Sequence, residues 1–350
     1  MSEEPFIPYN RPAMGEEEAE AVAAAVRSGW ITTGPRVREF EEAFAALVGA
    51  PHAIAVSSCT AGLEIALAAM DIGPGDDVLV PAYTFASSVT VIAQRGATPV
   101  LVDVSEDDLN IDPAAAERAV TPKTRAILPV HYAGQSCRMT EITALARDRG
   151  LRIIEDAAHA VWTRDGERMI GSIGDATAFS FYATKNLATG EGGMVTTADS
   201  GLADRLRRLS LHGMSRDAWA RYTAAGTYRY DIVEPGYKAN LSDILAAVGL
   251  VQLRRLPELQ SRRESIALRF NDAFSAEPAL EPPAERPGTR HAWHLYPLRL
   301  RLDRLRIDRD AFIEALRAAG IGTSVHFIPI HYHSYFRGQF GWKAGDYPVA

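Results

Sequence analysis

The chain is 350 residues long, with 47% hydrophobic and 23% charged residues and a formal net charge of −7, a balance that suits a globular protein of two domains or of one large domain with an appendage. The acidic balance, with a pI near 5.8 and no basic stripe, excludes a sequence-independent grip on nucleic acid. Cys59 and Cys137 stand far apart and exclude a disulfide framework, residues 1–20 have no secretory apolar stretch, and no apolar run of about eighteen residues offers a membrane span, so a cytoplasmic protein is expected.

Residues 16–26, with an acidic first turn and an alanine-rich face, predict a helix, and a second fits 37–48. Strands and helices then alternate: strand 52–56, helix 60–70, strand 77–80, helix 85–95, apolar runs at 99–104, 125–130 and 151–154, and a helix over 139–149. This order predicts an α/β protein whose large three-layer α/β/α domain, residues 1–250, holds a mainly parallel sheet. Ligands in such sheets bind beyond the carboxyl ends of the strands, where Ser57, Ser58, residues 81–85 and Asp156 fall. Strands at 176–181 and 194–197 and a helix at 202–211 follow. The irregular, aromatic stretch 213–236 suits a substrate loop or a partner contact. Helices at 242–255 and 259–274 are separated near Pro257, and the proline-rich stretch 277–287 reads as a connector. The run 295–302, a helix at 309–319 and a strand at 322–327 predict a smaller α+β domain within residues 251–350.

The chemistry starts from two residues. Asp156 ends a strand in Ile153-Ile154-Glu155-Asp156-Ala157-Ala158-His159, and Lys185 follows another in Ser180-Phe181-Tyr182-Ala183-Thr184-Lys185. An acid can keep a pyridine nitrogen protonated and a lysine can carry an aldehyde as a Schiff base, so the pair points to pyridoxal phosphate. Taken singly, each residue has an ordinary reading: a solvated lysine, and an aspartate capping a helix. The loop at 189–193 after Lys185 is rich in glycine and lets backbone approach a ligand. His159 suits either a contact to the ring hydroxyl or simple packing. Ser57-Ser58-Cys59-Thr60-Ala61-Gly62, between a strand and a helix, suits a phosphate or plain helix capping, and Ser180 adds a second hydroxyl. Phe85 can stack on a pyridine face or lie in the core.

These residues carry a resemblance. With Thr32-Thr33-Gly34-Pro35, Pro81-Ala82-Tyr83-Thr84-Phe85, Pro129-Val130-His131-Tyr132-Ala133-Gly134, Gly190-Glu191-Gly192-Gly193 and Gly236-Tyr237-Lys238-Ala239-Asn240, the chain from Pro8 onward resembles the DegT/DnrJ/StrS family of sugar aminotransferases, which have the fold-type I architecture. The resemblance implies Lys185 as the Schiff-base lysine, Asp156 as the pyridinium partner and Phe85 as the stacking ring. It implies Cys59, Thr60, Ala61 and Ser180, beside Ser58, as phosphate contacts. It also implies a homodimer whose sites are shared, with Asn240 matching the position from which the partner subunit reaches the phosphate. Many members have Gly-Tyr-Asn-x-Arg where this chain has Lys238 and Asn240, a variant associated with some 4-amino-sugar enzymes. His326 matches a substrate-side histidine, and Thr32 and Tyr83 border the acceptor pocket. Members usually continue past a segment like Tyr347-Pro348-Val349-Ala350 with a helix, a strand and a closing helix, so the chain is expected to be cut short or its small domain to lack those elements.

The expected function is transfer of an amino group, with L-glutamate as donor, to a keto sugar on a nucleoside diphosphate, a 4-keto-6-deoxyhexose or similar. A free cyclitol or other non-nucleotide ketone as acceptor, or a catalytically idle pyridoxal-phosphate-binding regulator, are the alternatives.

Overall fold

Strands that are apolar on both faces need cover on both sides. The computed structural model describes residues 6–215 and 230–350. Helices α1 (Glu16–Arg27) and α2 (Pro35–Val48) lead into β1 (His52–Val56), α3 (Cys59–Ala69), β2 (Asp77–Pro81), α4 (Ala86–Gln94), β3 (Thr98–Val102), α5 (Pro113–Ala119) and β4 (Thr124–Ile127). Then come α6 (Met139–Arg149), β5 (Arg152–Asp156), the short hairpin β6 (Arg164–Asp165) and β7 (Arg168–Met169), β8 (Ala176–Ser180), β9 (Gly193–Thr197) and α7 (Ser200–Ser210). Seven strands form one sheet in the order β1-β9-β8-β5-β4-β2-β3. Only β9 runs against the rest, antiparallel to both β1 and β8, while the β2–β3, β2–β4, β4–β5 and β5–β8 pairs are parallel.

Successive residues along each strand enter opposite cores. Ala53, Leu79, Ile153, Phe179 and Met194 pack with Phe40 and Phe44 of α2, Ile142 of α6 and Leu256. Their neighbours Ile54, Val78, Val80, Ile154, Ala178 and Val195 pack with Leu63 of α3, Val89 of α4 and Leu206 of α7. The sheet thus lies between two helical layers, as expected. Among the described residues no helix is long and apolar enough to cross a membrane.

Three expectations need correction. Residues 243–274 form one helix, Asp243–Phe274, with Pro257 inside it. An internal proline costs about 3 kcal/mol. Val251, Gln252 and Leu256 before it and Gln260 and Ala267 after it are all buried, and burying one Val or Leu returns about 1.5–3 kcal/mol, so packing holds the helix through the break. Residues 322–327 do not form a strand. Their pairing is limited to the bridge between Ile7 and Ile321 and the Gly322 amide on the Ile7 carbonyl, and tyrosine hydroxyls take the His326 carbonyl and the Phe327 amide instead. Of the run 295–302 only Arg299–Leu300 is strand, paired with Leu280–Glu281. Sequence reading also passed over α5, although Asp112 caps it through the Ala114 and Ala115 amides and Pro113 opens it.

Candidate active site

Because the strands on which the site is built run parallel, their carboxyl ends share one edge, and antiparallel β9 starts there. Asp156, the last residue of β5, is 3% exposed. Its Oδ2 accepts the Ser88 hydroxyl at 2.7 Å, and its Oδ1 accepts the Ala158 amide at 3.0 Å and faces the Cys59 thiol at 3.8 Å. Ser88 Oγ lies 2.9 Å from Thr84 Oγ1. Since the Ser88 proton goes to the carboxylate, Thr84 donates to Ser88. The aspartate thus caps the turn after β5 and is also held from α4.

Next to it, α3 begins. Ser58 is its N-cap and accepts the Ala61 amide at 3.1 Å, leaving the first-turn amides of Cys59 and Thr60 for an anion. Gly193 makes this cup possible. A Cβ there would lie 2.6 Å from the Ser58 carbonyl carbon and 2.7 Å from the Cys59 nitrogen. Ser180, at the end of β8 and buried, pairs with Gly193 across the ladder. Thr60 is exposed, while the Cys59 side chain is buried and its thiol is pushed well above its ordinary pKa by burial and by the Asp156 charge.

Lys185 is partly buried in the turn after β8, its amide donating to the Tyr182 carbonyl at 2.8 Å. Burial lowers its pKa, against the pull of Cys59 and Asp156 toward the charged form. That rules out the solvated-lysine reading. His159 is buried, and its Nδ1 accepts the Ala133 amide at 3.3 Å, so Nε2 carries the proton. Its pKa is pushed well below the usual value by burial, and further by the Lys185 and His326 charges. The His294 ring packs on it, centroid to centroid 4.4 Å. Asn186 uses its Nδ2 to donate to Gln260 Oε1 (3.1 Å) and to the Ala292 carbonyl (2.7 Å), so its Oδ1 accepts from His294 Nδ1 at 2.9 Å. This polar cluster fixes the residue next to Lys185.

An aromatic wall completes the edge. Phe85 is 61% exposed, so it is not a core residue, and its ring lies 5.9 Å from that of Phe327. Tyr83 and Tyr132 both donate to the His326 carbonyl, each at 2.5 Å, and Tyr83 accepts the Phe327 amide at 2.8 Å. Tyr9 stacks on His326 with centroids 5.5 Å apart, and Asn10 Nδ2 reaches the Thr184 carbonyl at 3.4 Å. Thr32 and Asn240 lie beside the starts of α2 and the long helix. Thr32 gives its carbonyl to the Asp243 amide, while Asn240 donates to Thr33 Oγ1 at 2.6 Å and accepts from Lys238. Asn240 also bridges to Val56. Of the stretch 213–236, positions 216–229 lie outside the described residues.

The donor set suits pyridoxal phosphate. It offers a buried carboxylate for a protonated ring nitrogen, helix-start amides with the Ser180 hydroxyl for a phosphate, and a lysine amine for an aldehyde. Sequence reading missed Ser88, Asn186, Tyr132, Phe327 and His294. Asn186 adjoins the lysine and Ser88 lies three residues beyond Phe85, which are readable signals, whereas His294 is 108 positions from its partner and gave none.

The sequence profile of the DegT/DnrJ/EryC1/StrS aminotransferase family matches residues 12–350. The spore coat polysaccharide biosynthesis protein SpsC of Bacillus subtilis (strain 168) is 54% identical over 346 residues, 99% of this chain and 89% of that protein. The putative sugar aminotransferase Spr1654 from Streptococcus pneumoniae, solved in its PMP form, superposes with a TM-score of 0.91 at 36% identity, over 98% of this chain and 90% of that one. A PLP form of the same protein is known. DesV of S. venezuelae superposes with a TM-score of 0.90 at 34% identity, over 99% and 90%. A chain matched so fully, with this donor set at its sheet edge, belongs to the DegT/DnrJ/EryC1/StrS family of pyridoxal-phosphate-dependent aminotransferases.

Proposed function

We propose that the chain is a sugar aminotransferase that moves the amino group of L-glutamate onto a keto sugar carried by a nucleoside diphosphate, a 4-keto-6-deoxyhexose or close analogue. The observation that carries the reading is the meeting of the buried Asp156 and Cys59 with the partly buried Lys185 at the mouth of the α3 cup. The names of Spr1654, a putative sugar aminotransferase, and of SpsC, a protein of polysaccharide biosynthesis, support the sugar as acceptor class.

In this reading Lys185 holds the cofactor's aldehyde and moves a proton at the donor's α-carbon, a task suited to an amine whose pKa burial has lowered. The cofactor, when bound, supplies a carbonyl to take the amine and a ring that draws electrons from the reacting carbon. Asp156 keeps the ring nitrogen protonated, with Ser88 and Ala158 holding the carboxylate in place. Ser58, Cys59, Thr60, Ala61 and Ser180 take the phosphate. His159, with its proton on Nε2, donates to the ring hydroxyl, and Phe85 covers the ring. Thr32, Tyr83 and His326 border the sugar.

Exposed apolar residues such as Trp30, Ile31 and Tyr182 support a contact with a second copy of the chain, whose Asn240 serves the phosphate. The test is spectroscopic. Borohydride should fix the cofactor on the peptide containing Lys185, L-glutamate should bleach its visible band, and a nucleotide-linked 4-keto sugar should restore it. Restoration by a free ketose or cyclitol alone would overturn the acceptor assignment, and a band indifferent to every amino acid would mean an idle cofactor-binding protein.

A further inference from the structure

Arg263 is an unspent cation beside the candidate site. It lies three residues after Gln260 and four before Ala267, both buried, so it belongs to the packed face of the long helix. Gln260 on that face bonds Asn186 and the Ala292 carbonyl, at 3.1 and 2.7 Å, and Asn186 adjoins Lys185. Arg263 is itself partly buried, and among the described residues it has no hydrogen-bond or ion-pair partner. Burial alone lowers its pKa, with no carboxylate among the described residues pulling the other way. The His294 pKa is pushed well below its usual value by burial and then by His159, Lys185, Arg263 and His326, again with no opposing carboxylate among the described residues. Asp156 offsets Lys185. A desolvated guanidinium without a counter-charge costs stability unless something anionic arrives to meet it.

We infer that Arg263 receives a carboxylate of the amino donor, its planar fork binding the two oxygens side by side. This rests on the glutamate reading above and names the residue that recognises the donor. The cofactor's phosphate is the other anion of the site, but it belongs to the α3 cup, where Cys59 feels Asp156 and Lys185 and not Arg263. A guanidinium matches a planar carboxylate bidentately, and such pairs are the strong charge-assisted kind.

The test titrates the cofactor-loaded protein with glutarate, a dicarboxylate that cannot react, following the visible band. Wild type should saturate, Arg263→Met should bind glutarate at least tenfold more weakly, and Arg263→Lys should fall between. Cofactor content per chain should be the same in all three. Unchanged glutarate affinity in Arg263→Met overturns the assignment, and so does loss of pyridoxal phosphate from that variant, which would make Arg263 a phosphate ligand. If Arg263→Met does not fold, Arg263→Lys, which keeps the charge and loses the fork, must show the weakening by itself. If wild type exchanges with L-alanine but not with L-glutamate, the donor reading fails, and the same comparison made with propionate still judges Arg263.

Discussion

Replacing Ser88 with alanine removes the closest donor to a carboxylate that is almost wholly buried. The Ser88 hydroxyl lies 2.7 Å from Asp156 Oδ2, and a hydrogen bond to a charged group contributes about 1.5–3 kcal/mol. The same change strands the Thr84 hydroxyl, which is 2.9 Å from Ser88 Oγ and 1% exposed, for a further loss of about 1 kcal/mol. Ser88→Ala should therefore destabilise the apoprotein by about 2.5–4 kcal/mol, read from urea unfolding. The coupling alone comes from a double-mutant cycle with Asp156→Ala, where about 1.5–3 kcal/mol should fail to add. Additivity within about 0.5 kcal/mol would refute the view that Ser88 holds the carboxylate.

Gly193→Ala puts a methyl 2.6–2.7 Å from backbone atoms of Ser58, Cys59 and Phe179, which cannot turn aside as a side chain would. It should cost about 1–3 kcal/mol and leave less pyridoxal phosphate per chain after gel filtration. Retained cofactor would mean the cup tolerates displacement. Asp243 is buried and accepts the amides of Gly34 (2.7 Å), Val37 (3.0 Å) and Arg36 (3.2 Å) at the start of α2. Asp243→Ala strands three donors and should destabilise by about 3 kcal/mol or more, with Asp243→Asn losing less; equal urea midpoints would contradict this. His159 and His294 have folded pKa values well below 6.5, and His291 is lowered to about 3, all chiefly through burial. As pH falls below about 6.5 the unfolded chain takes up protons that these buried imidazoles refuse, so stability falls with pH, by up to about 4 kcal/mol per pH unit for three groups. Stability independent of pH between about 6.5 and 5 would sink the assignment of these rings as neutral.

The sheet was legible because each strand is a short apolar run and each helix has its own boundary signal. Met139–Arg149 was read to the residue, closed by Gly150 in the left-handed conformation. Pro257 misled because a local rule gave way to burial on both sides of it. Residues 322–327 misled because the His326 carbonyl and Phe327 amide are taken by Tyr83 and Tyr132, whose positions no local pattern links to His326. The site divided the same way. Lys185, Asp156 and the α3 start lie at strand ends and carry sequence marks. Ser88 and His294 act only through contacts made after folding, and a hydroxyl or an imidazole in an apolar stretch resembles many others.

The turn bearing Lys185 is anchored from three distant stretches of chain: Asn10 at Thr184, and Gln260 and Ala292 at Asn186. Two of these anchors, Gln260 and Ala292, follow every strand of the large sheet in the chain. While the protein is being synthesised, vitamin B6 capture then comes late, once the last stretch has left the ribosome and docked. A yellow colour in a purified sample would thus mark chains whose synthesis had passed Ala292 and whose Lys185 turn had been anchored.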